Sequence, residues 1–103
     1  MTYRMTALVL LLGIASAASA QDRERLYVRS VAASCAQCHG TDGKPAAGSS
    51  LQALAGMPRE TMVTALKAFK AGTRPATVMH QLSKGYSDTQ IEQLAAHFAV
   101  QKR

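Results

Sequence analysis

The chain has 103 residues, a formal net charge of +6 and only 5% aromatic residues, with no tryptophan. That length allows one domain with a modest core, of the kind that often needs a disulfide, a metal or a cofactor to hold it. The basic excess comes without any basic–aromatic interleaving, so it points away from nucleic acid and toward an acidic protein partner or an anionic surface.

The first twenty residues read as an address. Arg4 is their only charge, an apolar run "MTALVLLLGIASAA" follows, and "ASA" ends at Ala20. This is the pattern of a secretory signal cleaved after Ala20. The alternative, a retained anchor, is disfavoured because the run is short of the about 20 apolar residues a span requires. The expected organisation is a signal peptide over 1–20 and a single domain over 21–103, exported to the periplasm, an oxidising compartment.

The rest of the chain reads as helical, with no alternating strand pattern. In "DRERLYVRSVAASCAQC", Tyr27, Val31 and Cys35 recur at i, i+4 on one helical face, with Arg23, Arg25 and Arg29 outside. "GTDGKPAAGSS" is a loop. "PRETMVTALKAFKAG" opens on Pro58, places Glu60 at the positive end of the helix dipole and stops at Gly72; its apolar stripe is Met62, Ala65, Leu66 and Phe69. Pro75 breaks the chain again, and a short helix is predicted from about Ala76 to Ser83. "YSDTQIEQLAAHFAVQKR" carries a Ser87–Gln90 capping box and turns Ile91, Leu94, Ala95 and Phe98 inward. The predicted fold class is all-α, three main helices plus a short one, with two loops long enough to wrap something.

"SCAQCHG" holds both cysteines of the chain, and His39 follows the second directly. A thioredoxin-like redox pair would need a strand before the motif. A structural zinc site would need a fourth ligand, and neither His80 nor His97 lies at a finger spacing. A plain disulfide leaves His39 unexplained. The remaining chemistry is covalent haem: Cys35 and Cys38, one helical turn apart, add to the two vinyl groups of a porphyrin, and His39 binds the iron. One haem c also supplies the apolar body that the side chains lack, since each ~100 Å² of apolar surface removed from water contributes about 2.5 kcal/mol.

The second axial position has several candidates. Met57 and Met62 read as packing residues at the start of a helix and on its stripe, and His97 as a surface residue of the last helix. Met79 follows Pro75 in the second loop, with Val78 and Leu82 beside it to line the ring. It is the expected ligand; His80 and an open position are the alternatives. A His/Met set raises the reduction potential relative to two imidazoles and leaves no site for oxygen.

The N-terminal helix running into "CAQCHG", the "TRPATVM" approach to a methionine and the closing "SDTQIEQLAAHFA" resemble class I c-type cytochromes over residues 21–103. The stretch from "FKAG" through "LSKGYSD" is similar to the haem domains of the cytochrome subunits of flavocytochrome c sulfide dehydrogenases. The resemblance implies a small cytochrome c fold, haem bound by Cys35, Cys38, His39 and Met79, and a crossing of first and last helices near Tyr27–Val31 and Leu94–Phe98. Many relatives have a proline later in the loop after the motif, where a backbone carbonyl orients the axial imidazole. Here Pro45 comes early, and the acceptor for His39 cannot be named from the residues. The best-known subunits also carry two haem domains, whereas this chain has one motif.

The functional expectation is a periplasmic monohaem electron carrier, not itself an enzyme. Its alternative is a cytochrome subunit that accepts electrons from a sulfide-oxidising flavoprotein. Lys44, Lys67, Lys70, Arg74 and Lys84 are candidates for a basic ring that steers an acidic redox partner.

Overall fold

The computed structural model describes the backbone of residues 2–103 and the side chains from Ser16 onward; most of the expected signal peptide lies outside the described side chains. Four α-helices follow one another: α1 (Thr2–His39), α2 (Arg59–Ala71), α3 (Met79–Lys84) and α4 (Asp88–Ala99), with one 3-10 turn at Thr41–Gly43. No strand occurs among the described residues, and no helix there is long and apolar enough to cross a membrane.

α1 ends abruptly after His39 because Gly40 adopts φ 83°, ψ 163°, a region open essentially to glycine alone. A Cβ there would also lie 1.7 Å from the Lys44 carbonyl oxygen. The chain turns through Thr41–Gly43, and the Gly43 carbonyl then accepts from the Leu54 and Ala55 N–H groups at 2.8 and 3.0 Å. Those two bonds fold the Gly- and Ser-rich loop back onto its own beginning. Gly43 is buried at the closure, with Leu54 on one side and Phe98 on the other, where a Cβ would come within 2.9 Å of both.

α2 has Glu60 in its first turn and stops at Gly72, as predicted, but it begins at Arg59, with Pro58 as the residue before its first turn. Its buried residues are Met62 and Val63, with Leu66 packed beside them; Val63 is an addition to the predicted stripe. Phe69 is only half-buried and lies under the Arg74 guanidinium at 4.8 Å. The short helix starts at Met79 rather than Ala76. The β-branched Thr77 and Val78 before it favour extended backbone over a helical start.

α4 matches its prediction throughout. Ser87 Oγ accepts from the Gln90 N–H, and the Gln90 side chain accepts from the Ser87 N–H. Ile91, Leu94, Ala95 and Phe98 are all buried. With Ala32, Met62 and Val63 they form the core, and Val31, Cys35, Leu54, Met57, Leu66 and Tyr86 pack around it. α1 and α4 are joined at their edge by Gln90 Nε2 donating to Tyr27 Oη at 2.8 Å and by Gln93 Nε2 donating to Glu24 Oε1 at 3.4 Å. Tyr27 therefore meets α4 one turn before Leu94.

Candidate functional site

The last turn of α1 carries Cys35, Cys38 and His39. Cys35 is half-buried against the core and Cys38 is exposed, and the two are not joined to each other as a disulfide. Burial pushes the Cys35 thiol above its ordinary value. Ser34 Oγ donates to the Val31 carbonyl at 2.8 Å and stands 2.8 Å from Tyr86 Oη. Its single proton is committed to Val31, so the Tyr86 hydroxyl donates to Ser34. This bond pins the turn that carries the cysteines to the corner between α3 and α4.

His39 is half-buried, and its Nδ1 lies 2.6 Å from the Gln52 backbone carbonyl. A carbonyl oxygen can only accept, so Nδ1 carries the proton and donates it. The neutral ring then has its lone pair on Nε2, fixed in direction and free to bind a metal. Gln52 is the acceptor that the residues alone did not disclose. Every residue has a backbone carbonyl, so only the path of the loop, set by Gly40 and Gly43, could single one out.

The methionines separate clearly. Met62 is buried in the core and Met57 packs against it. Met79 is half-buried, lies outside that cluster and occupies the first position of α3. His97 is half-buried on α4 and meets Phe98 edge-on at 5.1 Å. Neither His80 nor His97 joins Cys35, Cys38 and His39: among the described residues no three His, Cys, Asp or Glu side chains converge as a metal cluster.

Leu51, Val78 and Leu82 are 46%, 53% and 53% exposed. One adjoins Gln52 and the other two flank Met79. Two cysteines a helical turn apart, an imidazole with its Nε2 lone pair available, and half-exposed apolar side chains next to Gln52 and Met79 together fit a haem.

Of the candidate basic ring, three members are engaged within the fold. Lys67 Nζ lies 3.7 Å from Glu92 Oε1, and Lys70 Nζ donates to Asp88 Oδ1 at 3.2 Å and to the Tyr86 carbonyl at 2.7 Å. Arg74 covers Phe69. Lys44 and Lys84 are exposed. α2 and α4 pack side by side, so lysines on one face acidic residues on the other; pairs this exposed contribute little to stability but lower the charge available to a partner.

A single long helix ending in the haem-attachment turn, two further helices on one core and a short helix that opens on a methionine define a c-type cytochrome. Residues 28–99 match the cytochrome c family model, and the chain belongs to that family. Its cofactor is covalently attached haem c, and its role is electron transfer. A 65-residue stretch is 43% identical to the cytochrome subunit of sulfide dehydrogenase from Chlorobaculum tepidum, covering 63% of this chain. The match spans 57% of that relative's length.

Proposed function

We propose that the chain is an exported monohaem electron carrier in which Cys35 and Cys38 form the two thioethers and His39 and Met79 bind the iron. The haem supplies one-electron oxidation and reduction; the protein's residues hold it, set its potential and limit access to it. The observation that carries this reading is the 2.6 Å bond from His39 Nδ1 to the Gln52 carbonyl, which leaves Nε2 as the ligating atom and fixes the plane of the ring. Met79 is favoured because the other methionines of the domain, Met57 and Met62, belong to the core packing. A thioether opposite an imidazole favours the ferrous state, and two filled axial positions suit electron transfer rather than oxygen chemistry. Electrons pass at the edge beside Cys38, the exposed member of the pair.

A second reading is favoured by the sulfide dehydrogenase relative: the chain acts as the cytochrome subunit of a sulfide-oxidising flavoprotein. The carrier should run as a monomer on size exclusion; the subunit should co-elute with flavin absorbance. The ligand assignment is tested by the weak long-wavelength sulfur-to-iron absorption of the ferric protein. That absorption disappears in Met79→Ala if the assignment is right, and persists if Met57 or Met62 is the ligand.

A further inference from the structure

Among the described residues, two buried side-chain polar atoms lack any hydrogen-bond partner, His80 Nδ1 and Ser83 Oγ. Both lie on α3, three residues apart. Ser83 is 0% exposed, while Met79 and His80 are half-buried and Val78, Gln81, Leu82 and Lys84 are exposed. At 3.6 residues per turn, these exposures place Met79, His80 and Ser83 together on the inner face of α3, with Ser83 between the other two. That face packs on α2.

A helix this short is not self-supporting, and Val78 gives it no side-chain cap. Its geometry therefore depends on the inner face. Two unpaired polar atoms there would loosen it, because a buried donor or acceptor without a partner forfeits its hydration for nothing. Side chains three apart on a helix have Cβ atoms about 5–6 Å apart, close enough for one water to reach both. A buried water requires two or more polar partners, and this pair provides them.

We infer that His80 and Ser83 are positioning residues that share one buried water, and that this bridge holds the first turn of α3 so that Met79 stays on the iron. The water accepts from one atom and donates to the other, and no proton is gained or lost. The inference rests on the reading of Met79 as the ligand.

Titration of the ferric holoprotein with imidazole tests it. Imidazole competes with Met79, so its apparent affinity reports the fraction of molecules in which Met79 is off the iron. Ser83→Ala breaks the bridge and leaves His80 Nδ1 unpaired; imidazole should bind about tenfold more tightly. His80→Phe should do the same by stranding Ser83 Oγ, and it stands in should Ser83→Ala fail to load haem. The double variant removes both partners and should return toward the wild-type affinity, a coupling that loss of packing alone would not produce. Imidazole affinity equal to or weaker than wild type in the single variants, or simple additivity in the double, overturns the bridge. The sulfur-to-iron absorption separates the two levels of the argument. If it survives Met79→Ala, the ligand reading fails and takes the bridge with it. If it is lost there while Ser83→Ala leaves imidazole binding unchanged, only the bridge fails.

Discussion

The two segments proposed to grip the iron are built in opposite ways. His39 closes a long helix whose preceding turns pack on α4, and its ring is tied at 2.6 Å to a loop that Gly43 and Phe98 clamp to the core. Met79 opens a helix of six residues after an exposed loop, beside exposed Val78 and Leu82. One ligand is set by the body of the fold. The other is held by a short element whose inner face is partly polar. On the proposed ligation His39 would be the fixed ligand and Met79 the displaceable one, so the Met79 side should report any loss of stability first.

The largest effect should come from removing what both sides share. Cys35→Ala with Cys38→Ala should give a largely unfolded apoprotein, because Leu51, Val78 and Leu82 then have nothing to cover them; a cooperative thermal transition in that variant would contradict this. Next is the clamp on the His39 side. Phe98→Ala should cost about 3–5 kcal/mol, read by chemical denaturation, because Phe98 is buried and touches the Gly43 closure as well as the core. Met79→Ala should abolish the sulfur-to-iron absorption and lower the reduction potential if an imidazole takes its place. Met62→Ala, by contrast, should keep the absorption and lose about 2–5 kcal/mol of stability, which sharpens the distinction between a ligand and a core methionine.

Smaller effects mark the margins of the comparison. Ser87→Ala removes the cap of α4 and should cost about 1 kcal/mol, seen as a lower unfolding midpoint with an unchanged haem spectrum. Gln52→Ala should change stability by less than about 0.5 kcal/mol and leave the potential where it was, since the backbone carbonyl carries the bond to His39. A marked shift in potential on that substitution would transfer the role to the Gln52 side chain.

The two sides also differ in how much of them could be read from the residues. α4 was fully legible: its cap is local chemistry between Ser87 and Gln90, and its apolar spacing depends on nothing outside the helix. The attachment motif was legible for the same reason, since Cys35, Cys38 and His39 lie within one helical turn or beside it. The acceptor for His39 was not, because it is a main-chain atom delivered by a loop closure between Gly43 and Leu54. α3 starts three residues later than Ala76, because the β-branched Thr77 and Val78 outweigh the helical preference of Ala76. The basic ring was readable as charge but not as free charge: only the packing of α2 beside α4 reveals that Lys67 and Lys70 face Glu92 and Asp88.

The central claim is a porphyrin bonded to Cys35 and Cys38, and peptide mass spectrometry of the purified protein tests it most directly. The account predicts that the fragment containing Ser34–Lys44 carries the mass of one haem through both sulfurs. Free thiols, or a disulfide between the two cysteines with no added mass, would contradict it.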